Sequence, residues 1–183
     1  MNDCDVLYIN YNCLMHQAIK NSNFKDITHD LLIFEAVMSD VIAYTRVVID
    51  AVKPKEMVYI AIDGNVNVTK FEMKESFDTS HFETGTVFMQ SLHIRMRSAI
   101  NLGLFDVPMI LFSDSNEPGT GRHKIFNHIR ETEKKSIVYG LDLCNHTCTD
   151  LKTLVTCTES MDEGFCFQRV ATCLDLACQS QNA

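Results

Sequence analysis

Residues 57–63 read MVYIAID, six apolar residues closed by a carboxylate and followed by Gly64. A short apolar run with β-branched residues, ending at a turn former, is the pattern of a buried strand. VLYIN at 6–10, MILFS at 109–113 and SIVY at 136–139 continue the series. Between the first two runs, Leu31, Phe34, Met38, Val41, Ile42, Val48, Ile49 and Val52 mark a long amphipathic helix. Thr28 or Asp30 could cap it, and Pro54 stops it. A second helix follows Gly85, with Phe88, Leu92, Met96 and Ile100 inward and Gly103 at its C-terminal end. A third follows Gly121 and carries Ile125 and Ile129. Strands alternating with helices predict an α/β fold, a parallel sheet wrapped by helices.

In such a sheet a site is sought at the C-terminal ends of the strands. Those ends here carry Asn10, Asp63, Ser113 with Asp114, and the turn Gly140–Asp142. Four polar tips on one edge make a candidate site.

The remaining signals set the class. A chain of 183 residues is expected as one domain, 1–183, with a core of its own. With 46% apolar and 22% charged residues it is neither disordered nor of low complexity. A net charge of −8 excludes a generally basic nucleic-acid coat, so any RNA contact needs a local positive patch. The absence of Trp removes the best stacking platform for an exposed base. MNDCDVLYIN has no basic start before an apolar stretch, and the windows 31–38 and 107–112 are too short to span a bilayer. The expectation is therefore an intracellular protein, cytoplasmic or nuclear, neither secreted nor in the membrane. Six of the eight cysteines crowd into 144–178, within a Cys-rich segment 144–183. Reduced thiols are the plain reading. A metal site of Cys144, His146, Cys148 and Cys157 has suitable ligand types but lacks paired C-x-x-C spacing.

Taken in chain order, LYINYNCLMH (7–16), YIAIDGNVNVTK (59–70), TGTVFM (84–89), ILFSDSNEPGTGRHKI (110–125) and YGLD (139–142) resemble the N-terminal nuclease region of XRN-type 5′-3′ exoribonucleases. The SD-x-x-x-PG-x-G-x-HKI and GT-x-FM pieces are the specific ones. The resemblance covers about residues 5–170 and reads as a truncated, divergent copy. It implies a PIN-like, flap-nuclease-type fold with helices on both faces of the sheet. It also implies hydrolysis of 5′-monophosphorylated RNA with Mg²⁺ or Mn²⁺ held by clustered carboxylates, because such ions take hard oxygen ligands and two of them clamp the attacking and leaving oxygens.

Against that pattern the acidic cluster is eroded. The family's first-strand Asp is Asn10, although Asn12 and His16 match. Asp63 keeps the second-strand Asp, and the two metal-site Glu of PGEGEHK are Thr120 and Arg122. Asp142 opens the D-A-D motif, whose second Asp falls on Cys144, or on Asp150 if an insertion is allowed. Relative to the family pattern, Asn10, Thr120 and Arg122 raise the formal charge of the site by four units, and Cys144 would add a fifth. A cation placed where a metal should sit argues against two-metal hydrolysis. The 5′-phosphate pocket is incomplete as well. Lys70 matches, Lys74 stands for a Gln, and Phe77 and Asp78 replace two Arg.

Each retained residue has a structural alternative. Asp63 could cap the turn at Gly64, Asp114 could brace the loop 118–121, Asp142 could be a turn residue, and His16 could be a satisfied hydrogen-bonding side chain. Arg122, Lys124, Arg130, Lys134 and Lys135 are a solvated basic face or, after a glycine-bracketed turn, an anion site. Three functions follow. The first is a degenerate exoribonuclease-like protein that engages RNA or a protein partner. The second is a residual exonuclease using Asp63, Asp114, Asp142 and Asp150. The third is an interaction module with a Cys-rich tail.

Overall fold

The computed structural model describes residues 4–21, 30–64, 79–132, 134–140, 153–156 and 167–172. Its elements run β1 (Val6–Asn10), α1 (Tyr11–Asn21), α2 (Asp30–Val52), β2 (Met57–Ala61), a 3-10 turn (Thr79–Phe82), α3 (Val87–Asn101), β3 (Ile110–Ser113), α4 (Gly121–Thr132), β4 (Ser136–Tyr139), β5 (Thr153–Thr156) and β6 (Phe167–Thr172). The strand order is β3-β2-β1-β4-β6-β5. The first four strands are parallel, as expected, with Tyr8 level with Tyr59 and Val138. β6 and β5 extend the sheet antiparallel, which the sequence reading did not foresee.

Strand alternation builds two cores. Leu7, Ile9, Val58, Ile60 and Ile137 face α1, α2 and α3, meeting Leu14, Val41, Val48, Leu92 and Met96. Val6, Tyr8, Met57, Tyr59 and Val138 face Ile125, Phe126 and Ile129 of α4 on the other side. Helices thus cover both faces. The phenols find polar partners within these layers. Tyr8 Oη lies 2.9 Å from His128 Nδ1 and 3.1 Å from Thr132 Oγ1, and the Tyr59 ring stacks on His128 at 4.6 Å. On the opposite face Tyr11 Oη is 3.2 Å from Thr45 Oγ1, and the Tyr139 hydroxyl donates to Tyr44 at 3.3 Å.

Local chemistry sets the element ends. α2 stops as expected, but through Lys53 in the left-handed region (φ 51°), whose N–H returns to Ile49 O at 2.8 Å before Pro54. Thr86, with extended backbone, caps α3 by accepting the Met89 N–H at 3.3 Å. α3 then closes at Gly103 (φ 66°), whose N–H donates to Ile100 O at 3.0 Å. α1 was not anticipated. It starts on the residue after β1 and buries Tyr11, Leu14, Met15 and Ala18 at helical spacing. β2 is two residues shorter than the apolar run, because Ile62 and Asp63 leave the strand, although the Ile62 N–H still reaches Ser113 O at 2.9 Å. Among the described residues no helix is long and apolar enough to cross a membrane.

Candidate functional site

The chain winds outward from β1 through β2 to β3 and then returns to β4 on the other side of β1. The order reverses between β1 and β4, which places the crevice at the C-terminal ends of these strands. Asn10 and Gly140 lie there. Asn10 Nδ2 donates to Gly140 O at 3.3 Å, and its Oδ1 is buried with no hydrogen-bond partner. Gly140 (φ 80°) must be glycine, since a Cβ would come within 2.7 Å of Cys13 Cβ.

One strand further out, Asp63 is the hub of three connections. Asn12 Oδ1 accepts its N–H at 3.1 Å, and Thr84 Oγ1 donates to its carbonyl at 3.1 Å. Its Oδ1 accepts the Gly121 N–H at 2.6 Å, at the first residue of α4. The carboxylate therefore complements the positive end of that helix. The sequence offered the Gly64 turn for this capping role; the donor is 58 residues away in sequence and only the fold brings it near. Gly64 itself bridges to Gly119, and a Cβ on it would lie 1.8 Å from Glu117 O.

The turn into α4 carries Thr120, Arg122 and Lys124. Thr120 Oγ1 accepts the His123 N–H at 3.2 Å, so the helix start is capped from within as well. With Asp63 and Thr120 as acceptors, few backbone N–H groups remain at this helix start for an incoming anion. The Arg122 guanidinium lies over the Phe126 ring at 5.4 Å. Lys124 was expected to lend positive potential to the turn. It instead points inward, 8% exposed, and its Nζ donates to Ile62 O at 2.8 Å and Asp114 O at 2.7 Å. Helical spacing explains the difference, because Gly121, Lys124, Ile125 and Ile129 share the buried face of α4. Burial pushes its pKa below the usual lysine value, although Glu117, Asp114 and Asp63 pull the other way.

Asp114 follows β3 and is 5% exposed. Its Oδ1 accepts the Asn116 N–H at 2.8 Å, which braces the loop. Its Oδ2 receives Arg97 Nη2 at 2.8 Å and lies 3.1 Å from His93 Nε2. Burial raises this carboxyl's pKa, but the hydrogen bonds from Arg97 and Asn116, together with the His93 and Arg97 charges, outweigh it and hold the group below its ordinary value. Arg97 and His93 carry no motif signal; they reach Asp114 from α3 only once the helix packs. The Ser113 hydroxyl donates to Glu117 across the same loop.

His16 is exposed on α1, its ring edge-on to Phe82 at 5.3 Å. Lys70, Lys74, Asp142, Cys144 and Asp150, with the remaining cysteines of the tail, lie outside the described residues. The described donors do not fit the pair of divalent ions that the resemblance implies. Asn10 offers a neutral oxygen, Asp63 holds a helix end and Asp114 an ion pair. Among the described residues no group of three or more His, Cys, Asp or Glu side chains is placed to hold a metal ion.

The model of the XRN 5′-3′ exonuclease N-terminus matches residues 1–74 and 65–144. The 5′-3′ exoribonuclease 1 of Homo sapiens is 24% identical over 179 residues, covering 75% of this chain and 10% of that protein. Its counterpart in Saccharomyces cerevisiae is 26% identical over 179 residues, covering 75% and 12%. The 5′-3′ exoribonuclease 2 of Schizosaccharomyces pombe is 25% identical over 195 residues, covering 76% and 19%. The chain thus spans between a tenth and a fifth of the length of these relatives. With both segments of the model aligned in order on the β1–β4 frame and its strand-end residues, the chain belongs to the XRN 5′-3′ exonuclease family, through its N-terminal region.

Proposed function

We propose that this protein is a catalytically degenerate exoribonuclease-like domain that engages RNA without cutting it. One observation carries the reading: Asp63, the carboxylate that keeps the family pattern, is hydrogen-bonded to the first N–H of α4, in the same turn where Thr120 and Arg122 replace acidic residues. A carboxylate held by a helix end, next to a cation, is poorly disposed to gather divalent ions. RNA contact then falls to exposed side chains, Arg122 and His123 on α4 and His16 on α1, with Lys70 and Lys74 as further candidates. Asp142 and Asp150 stay in this reading as vestigial ligands.

The test is incubation of 5′-monophosphorylated RNA with the protein and Mg²⁺ or Mn²⁺. The expected outcome is RNA of unchanged length. Processive trimming that disappears in Asp63→Ala would restore the residual-exonuclease reading. A second reading, an interaction module, is favoured by exposed apolar residues around β3: Leu102 at 76%, Leu104 at 48%, Met109 at 51% and Leu111 at 42% exposure. No detectable RNA binding at low salt would select it over the first.

A further inference from the structure

We infer that the Lys124 ammonium is the resident cation of the strand-end cluster, joining the ends of β2 and β3 and balancing the nearby carboxylates in place of divalent ions. The inference rests on the reading that the acidic site is degenerate, and it deepens that reading by naming what took over the metal's electrostatic work. Lys124 Nζ donates to Ile62 O, one residue past β2, and to Asp114 O, one residue past β3. Both carbonyls lie where the strands have ended. A buried ammonium bonded only to carbonyls would keep an uncompensated charge, which is costly. Glu117, Asp114 and Asp63 supply the opposing charge through space.

Those carboxylates are themselves engaged. Asp63 accepts from Gly121 N–H, Asp114 from Arg97 and Asn116, and Glu117 from the Ser113 hydroxyl. A divalent ion entering here would have to break these contacts and approach a fixed ammonium. Glycine geometry packs the region tightly: a Cβ on Gly121 would fall 2.9 Å from Ala61 O and 3.3 Å from Asp63 Oδ1. The cluster is built closed, with its cation on the chain.

The experiment is thermal unfolding of the full chain in Mg²⁺, in Mn²⁺, and in EDTA with NaCl at matched ionic strength. The expected result is one Tm in all three. A rise specific to either divalent ion overturns the inference. In Lys124→Met the carboxylates lose their cation, so Tm should fall and Mn²⁺ should now raise it; a variant as stable as the parent, or one indifferent to Mn²⁺, overturns it. Should Lys124→Met fail to fold, Mn²⁺ titration of the parent protein by NMR decides. Amide signals of Asp63 and Asp114 that stay sharp at stoichiometric Mn²⁺ support the inference, and selective broadening there defeats it. None of these readouts uses RNA, so trimming in the preceding assay would sink the degenerate reading separately.

Discussion

At the scale of single residues, two glycines near the sheet edge separate two reasons for being glycine. Gly64 lies against backbone, with Glu117 O where a Cβ would go, so Gly64→Ala must push two chain segments apart. It should lower the unfolding free energy by about 2–3 kcal/mol, the upper range for overpacking, read by urea denaturation. Gly103 has φ +66° and open space around it, so Gly103→Ala should cost only the left-handed backbone strain, about 1 kcal/mol. Equal effects in the two variants would mean that the Gly64–Gly119 contact is looser than described. Much at this scale was illegible in the sequence. PGTGRHK shows where a family turn falls, but not that Asp63 occupies its helix end or that Lys124 turns inward. The first depends on a partner 58 residues away. The second needed only the 3.6-residue period to be carried back from Ile125 and Ile129 into the motif.

At the scale of elements, strands were readable and two kinds of exception were not. β1 to β4 announce themselves because short apolar runs buried on both faces tolerate little else. α1 is hidden because it begins without a cap directly after β1, so LYINYNCLMH reads as one motif rather than a strand and a helix. β5 and β6 lie in a Cys-rich, weakly patterned stretch and pair antiparallel, which no βαβ logic anticipates. Two helices give measurable predictions. Thr86→Ala removes the oxygen that accepts Met89 N–H and should cost about 1 kcal/mol, with the loss seen in the unfolding free energy. His128 of α4 is packed between Tyr8 and Tyr59, and burial lowers its pKa from 6.5, with Glu131 pulling partly back. As pH falls through 6.5 the unfolded chain takes up a proton that the folded one resists, so stability should fall with it. Denaturation curves above and below that pH should show the slope, and His128→Gln should reduce it. An unchanged slope would place the acid sensitivity elsewhere.

For the whole molecule, a net charge of −8 sets the terms of any nucleic-acid contact. Attraction must come from a local group such as Arg122 against a repulsive background. Affinity for single-stranded RNA should therefore be weak and should fall with salt, at a log–log slope of about 0.7 per phosphate contacted. Arg122→Glu should lower both affinity and slope, measured by fluorescence anisotropy across a salt series. Loss of affinity at constant slope would mean that Arg122 acts through the Phe126 stack rather than on phosphate.

The phenols that line both faces of the sheet also give the protein an optical property. With no Trp, its near-ultraviolet signal belongs largely to five tyrosines, at 8, 11, 44, 59 and 139. Four of them are buried against the strands: Tyr8, Tyr11, Tyr59 and Tyr139. Burial pushes the Tyr8 hydroxyl up to about 12 from 10.0, and the Tyr11 hydroxyl upward as well. Between those pH values the unfolded chain releases protons that the folded chain retains, so rising alkalinity drains stability. Phenolate absorbance should consequently appear abruptly, as the sheet opens, instead of growing along an ordinary tyrosine titration. The chromophores report whether the two layers are still clamped on the strands, and an alkaline titration becomes an unfolding curve recorded without any added dye.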